Sequence, residues 1–196
     1  MEISTTAVKE LREKTSAGVM ECRNALVKAQ GDMEKAQEIL RQKGMEKAEK
    51  KKDRETKEGK IEAYIHMGKI GVLLELNCET DFVAKTDQFQ ALAKEIALQI
   101  AAQGPHYISR DRIPEEVIEK QREVIKKVAL DEKKAPDIID KVTAGKLEKW
   151  FKSVCLLEQP YIRDDSKTVE GLIKDVIAKL GENVLVSRFT RYTLGE

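Results

Sequence analysis

The sequence predicts an α+β fold: an N-terminal three-helix domain, then a core in which helices cover a small antiparallel three-stranded sheet. Three observations carry this. Apolar residues recur at helical spacing through residues 1–45. The period changes to two between Ile61 and Cys78. It returns to helical spacing from Phe89 to Leu180, before a last β-rich run at Asn183–Tyr192.

The first element opens its apolar face with Val8 and Leu11, and Thr15–Gly18 (TSAG) reads as a turn. Val19, Cys22, Leu26 and Ala29 form the next stripe, ended by Gly31. Asp32 caps a third helix carrying Met33, Ala36, Ile39 and Leu40, closed by Gly44. Each is too short to be stable alone, so the three must pack together. Met45–Lys60 has almost no apolar residues and reads as a solvated helix or a linker. The expected domains are therefore residues 1–45, a charged linker at 46–59, and a core from 60 to 196.

Ile61, Ala63, Ile65 and Met67 then alternate with polar residues. After Gly68-Lys69 the alternation resumes with Ile70, Val72, Leu74, Leu76 and Cys78. Two alternating runs around a two-residue turn predict a hairpin with one apolar face. Its cover is helical. Thr86 caps a helix bearing Phe89, Leu92, Ala93, Ile96, Ala97 and Ile100, stopped by Gly104-Pro105. Pro114 opens another with Val117, Val124, Ile125 and Val128, and Pro136 opens a short third. Leu147, Trp150, Phe151, Val154 and Cys155 mark a fourth, stopped by Pro160. Val169, Leu172, Ile173, Val176, Ile177 and Leu180 mark a fifth, closed by Gly181. Asn183–Tyr192 joins the hairpin as a third strand.

Composition excludes several functions. With 36 basic against 35 acidic residues the net charge is +1, which lacks the basic field of a dedicated nucleic-acid binder. The run Lys50–Lys52 is interleaved with Glu49, Asp53 and Glu55, the pattern of a solvated face. The three cysteines, Cys22, Cys78 and Cys155, are far apart and form no metal-ligand spacing. Cys78 and Cys155 sit in apolar patterns and read as small buried hydrophobes, which fits a reducing cytoplasm. No apolar run reaches membrane-spanning length. The two histidines, His66 and His106, have no His or Cys nearby and read as surface residues. There is no phosphate-binding Gly-x-x-x-x-Gly-Lys-Ser/Thr loop and no Gly-x-Ser-x-Gly elbow. No catalytic set, metal or cofactor is expected, and a binding protein is favoured over an enzyme.

One stretch stands apart. In "CETDFVAKTDQF", Cys78–Phe89, a large ring sits beside Asp81 between strand and helix. Loop aromatics ordinarily pack under the next helix. With Thr86 as cap, however, a hydrophobic staple would use Lys85 and Gln90, and neither is apolar. The other reading is an exposed anchor for a partner's pocket, with Asp81 directing the docking by charge.

"LELNCETDFVAK", Leu74–Lys85, resembles the signature of bacterial elongation factor Ts. "LREKTSAGVMECRNAL", Leu11–Leu26, resembles that family's other signature, in its ubiquitin-associated-like helical domain, and the tail "GENVLVSRF" also matches. The resemblance covers essentially the whole chain, with one departure at Ser16, where the family often has Gly. It implies a guanine-nucleotide exchange factor for elongation factor Tu. The matching site residues are Thr80, Asp81, Phe82 and Val83, a segment associated in the family with dislodging Mg²⁺ from the Tu nucleotide site. The N-terminal domain is expected to contact the GTP-binding domain of Tu. Longer members carry a duplicated core half and an inserted coiled coil, so this shorter chain is expected to be a homodimer. Thr190 in the last strand implies no interchain disulfide there. Rival readings are a nucleic-acid binder or a ubiquitin-type adaptor using the N-terminal module.

Overall fold

In the computed structural model, which describes residues 3–15, 17–131 and 136–196, the N-terminal apolar stripes close on one another. Helices α1 (Thr5–Thr15), α2 (Val19–Lys28) and α3 (Met33–Glu49) bury Val8, Leu11, Cys22, Ala25, Leu26, Ala29, Ala36 and Leu40 in one cluster. Asp32 caps α3 as expected, its carboxylate accepting from the Lys35 amide at 3.0 Å. Ser16 lies outside the described residues.

Two expectations fail here. Val19 is exposed rather than buried, as are Met20 and Val27 on the same helix. Gly44 does not close α3, which runs on to Glu49. A methyl group at position 44 would come within 2.8 Å of the Ala178 side chain. Gly44 is therefore a point of close helix approach, and a glycine inside a helix costs only about 1 kcal/mol against alanine.

Glu21 ties α2 to α3. It accepts from Lys47 at 2.6 Å and from Lys43 at 3.0 Å, and these bonds hold its carboxyl at about 2, well below its ordinary 4.5. A lowered folded value gives stability that is complete above 4.5 and lost as pH falls toward 2. Circular dichroism is expected to show helix loss in that acid window. Glu21→Gln is expected to flatten it; an acid limb identical in the two proteins would rule this linkage out.

Beyond α3 the chain makes turns to Arg54 and enters strand β1 (Glu58–His66), followed by β2 (Ile70–Cys78). The hairpin connection, Met67–Lys69, has three residues rather than two, with Met67 itself at φ +50°. One extra residue sends every side chain of β1 to the opposite face. Lys60, Glu62 and Tyr64 are the half-buried positions, while Ile61, Ala63, Ile65 and Met67 are exposed. On β2 the alternation holds: Val72, Leu74, Leu76 and Cys78 are buried and Leu73 is exposed. The predicted single apolar face is thus correct for β2 and inverted for β1.

The last strand, β5 (Val184–Thr193), joins the hairpin as predicted, in the order β1-β2-β5. Between β2 and β5 lie α4 (Asp81–Ala84), α5 (Asp87–Gln103), α6 (Glu115–Asp131), α7 (Pro136–Val154), a two-strand hairpin of β3 (Pro160–Tyr161) and β4 (Asp164–Thr168), and α8 (Val169–Leu180). The short third and separate fourth helices of the sequence reading are one helix, α7, because a lone Gly145 does not break it. The β3–β4 hairpin was not foreseen: "DDSKT" has no apolar alternation.

Contacts divide the chain into two units. One takes residues up to Ile61, Glu75–Ala93 and Gly171–Ser187; the other takes Glu62–Leu74, Lys94–Glu170 and Arg188–Glu196. In the second, Ile113, Ile125, Leu147, Phe151 and Cys155 form a cluster. Arg110 lies over the Phe151 ring, 4.3 Å from its centroid, and bonds to Glu148 and Glu158. Val117 packs partly on this cluster, but Val124 and Val128 are exposed. In the same unit, buried Gln99 donates to the Gln159 side chain and the Pro160 carbonyl and accepts from the Ile162 amide.

Candidate functional site: the Thr80–Val83 turn

Cys78 ends β2 and Thr80 begins a turn that becomes the four-residue helix α4. Thr80 is its cap, the hydroxyl accepting from the Val83 amide at 3.4 Å. A second hydroxyl, on Thr86, caps α5 by accepting from the Phe89 amide at 3.3 Å and donates to the Val83 carbonyl at 2.8 Å. The Gln90 side chain donates to the Ala84 carbonyl at 2.6 Å. Side chains on both sides thus meet the Val83 amide and the Val83 and Ala84 carbonyls, groups that so short a helix leaves open.

Within this frame neighbouring residues point opposite ways. Val83 is 9% exposed and Phe82 is 80% exposed. Phe82 therefore does not pack under α5, whose own Phe89 is fully buried. Asp81 pairs with Lys85 at 2.6 Å, and this hydrogen bond holds its carboxyl below the ordinary carboxylate range. The ring of Phe82 stands in water beside an exposed ion pair, on a backbone fixed from below.

Residues from elsewhere in the chain fix it. The Glu182 carboxylate accepts twice from Thr80: from the hydroxyl at 2.7 Å and from the amide at 3.0 Å. The buried Cys78 thiol donates to the Thr80 carbonyl at 3.1 Å. Burial pushes that thiol up to about 11, so it stays protonated. Glu79 returns the contact, accepting from the Asn183 amide at 2.6 Å. The Asn183 side chain donates to the carbonyls of Lys52 and Arg54, at 3.1 and 2.9 Å. Lys51 donates to the Gly181 carbonyl at 2.5 Å. These partners went unread in the sequence because Thr80 and Glu182 are 102 positions apart. The only signal was the quoted run "GENVLVSRF", to which no role attached.

The remaining sequence expectations are simply placed. In the Lys50–Lys52 run, Lys51 is engaged with Gly181 and Lys52 pairs with Glu49 at 2.6 Å. His66 is exposed and stacks on Tyr64, whose hydroxyl lies 3.0 Å from Nδ1. His106 is exposed. Cys22, Cys78 and Cys155 are all free and buried. Among the described residues no group of His, Cys, Asp and Glu is placed to hold a metal ion, and no helix is long and apolar enough to cross a membrane.

Comparison with known proteins gives the family. The family described as "Elongation factor TS" matches residues 1–196. Elongation factor Ts of Coprothermobacter proteolyticus is 56% identical over 197 residues, covering all of both chains. That of Caldanaerobacter subterraneus subsp. tengcongensis is 55% identical over 195 residues, 99% of this chain and 98% of that protein. That of Thermotoga petrophila is 57% identical over 197 residues, 100% of this chain and 98% of that protein. With a whole-length family match and relatives far above 30% identity, the chain belongs to the elongation factor Ts family, the guanine-nucleotide exchange factors of translation elongation.

Proposed function

We propose that this chain releases GDP from elongation factor Tu by inserting Phe82 into a pocket beside the Tu nucleotide site, where the Thr80–Val83 turn disturbs the bound Mg²⁺. The observation that carries this reading is an aromatic ring held 80% exposed on a short helix whose neighbour Val83 is buried. Thr80 and Val83 are the footing, Phe82 the inserted group, and Asp81 the charge beside it. The chain itself makes and breaks no covalent bond; it acts by binding, so it is no enzyme in the chemical sense.

The energetics follow from linkage. If the factor weakens GDP by some ratio, GDP weakens the factor by the same ratio. Burying one Phe contributes about 1.5–3 kcal/mol, or roughly one to two decades. Larger coupling needs more than the ring: loss of Mg²⁺ stabilisation from the diphosphate, and strain across a wider interface. The exposed face of α2, with Val19, Met20 and Val27 spread over little more than two turns, is suited to that second contact with the GTP-binding domain of Tu. On this reading residues 1–45 are the Tu-docking domain, 46–59 the connection, and 60–196 the core. The setting is the cytoplasm, and no nucleic acid is bound directly.

We further propose a homodimer through the outer face of the sheet. Ile65, Met67, Leu73, Tyr192 and Leu194 are all exposed, and Ile65, Ile70, Tyr192 and Leu194 line a shallow depression of about 330 Å³. An uncovered apolar sheet face of this kind is suited to a second copy of itself. Position 190 is threonine, so no disulfide joins the copies there. Light scattering at micromolar concentration is expected to give twice the chain mass, and Leu73→Glu is expected to give the monomer mass. A monomer for the unmodified chain would refute the dimer.

The function itself is tested by stopped flow. Fluorescent GDP on elongation factor Tu is expected to leave much faster when this chain is added. Release at the unassisted rate would remove the assignment.

A further inference from the structure

We propose that Glu182 is a positioning residue for nucleotide exchange: its carboxylate grips Thr80 by two bonds and so aims Phe82. This rests on the reading of Phe82 as the inserted group. A helix of four residues cannot hold its own shape, because forming the first turn fixes several dihedrals for a single hydrogen bond. Something outside α4 must therefore set the direction of the ring. Thr86 and Gln90 hold the C-terminal end of α4 through the Val83 and Ala84 carbonyls; its N-terminal end, next to Phe82, is held at Thr80. Its amide and hydroxyl both donate to Glu182, at 3.0 and 2.7 Å, and its carbonyl receives the Cys78 thiol.

The residue type at 182 follows from that geometry. Two donors on one residue, side by side, call for two acceptor oxygens on one partner. A carboxylate presents them; an amide presents one. Bonds to an ionised acceptor are also shorter and about twice as strong as neutral ones. The grip is mutual: Glu79 accepts from the Asn183 amide while Glu182 accepts from Thr80. Residues 79–80 and 182–183 thus clasp each other. The Asn183 side chain then reaches the carbonyls of Lys52 and Arg54. One corner of the chain holds both the base of the Phe82 turn and the segment that leads out of α3.

The test is a double-mutant cycle on GDP release from elongation factor Tu, with the factor varied to saturation. Glu182→Ala is expected to lower the maximal release rate about tenfold, no more than loss of the Phe82 ring itself, and to leave the half-saturating concentration within about twofold. In a Phe82→Ala background, Glu182→Ala is expected to change nothing further, since it acts through that ring. Glu182→Gln, which keeps one acceptor oxygen but loses the second and the charge, is expected to recover only part of the rate. Should the alanine variant fail to fold, Glu182→Asp keeps the charge and shortens the reach. It is expected to slow release about threefold, again only when Phe82 is present. Slow release by Phe82→Ala together with normal release by Glu182→Ala and Glu182→Asp would overturn the positioning role and leave the Phe82 reading intact. Losses that simply add would overturn it as well. Normal release by Phe82→Ala would overturn the Phe82 reading and, with it, this one.

Discussion

Replacing Phe82 with alanine is expected to slow GDP release from elongation factor Tu by roughly one to two decades without changing the stability of the chain. The ring is 80% exposed and makes no part of the buried core, so its loss leaves folding untouched. Surface substitutions of this kind usually stay within about 0.5 kcal/mol. Binding to Tu should persist, because the apolar face of α2 is proposed as a separate contact. The measurement is stopped-flow release of fluorescent GDP, paired with a thermal melt of each protein. A variant that melts normally and releases GDP slowly places exchange on this side chain. A variant that releases GDP as fast as the original would remove the insertion mechanism whatever its melt.

Gly59→Ala is expected to cost roughly 2–5 kcal/mol of stability, combining about 1–3 for backbone strain with about 1–3 for overlap. Gly59, the second residue of β1, stands at φ +152°, a conformation that side-chain-bearing residues avoid. A methyl group there would overlap the Leu76 carbonyl oxygen and lie 2.7 Å from the Asn77 Cα. Both are backbone atoms of β2, and backbone cannot rotate aside as a side chain can. Domains carry only about 5–15 kcal/mol in all, so the variant should unfold at markedly lower urea concentration. The overlap also falls two residues before Cys78, on the strand end that carries Thr80. A urea midpoint equal to that of the unmodified chain would show that the strands part there without cost.

Much of this fold can be read from period alone. The three N-terminal stripes apart from Val19, the β2 face, the Thr86 cap and the closing glycine at 181 follow from local pattern, and each stands where that pattern puts it. What escaped depends on distance or on a single residue of turn length. Ile61 and Ile65 read as inward because a two-residue turn was assumed; a third residue sends them outward. Gly44 read as a helix end because its reason, Ala178, is far along the chain. The same limit hid Glu182 and Asn183. An acid and an amide beside a glycine have no period of their own, and only folding brings them to Thr80. Phe82 is only half legible: an aromatic placed where no local packing motif needs it stands out, but the residues alone leave both packing under the next helix and exposure open.

The opposite directions of Phe82 and Val83 carry a consequence for a cell. Position 83 answers to the fold and position 82 does not, so a chain altered at 82 would be made in full, keep its shape and still find elongation factor Tu. On the proposed mechanism, such a chain would occupy Tu while discharging it only slowly. Expressed beside the intact gene product, it would act as a poison of translation rather than as a silent loss, and its toxicity would rise with its own abundance.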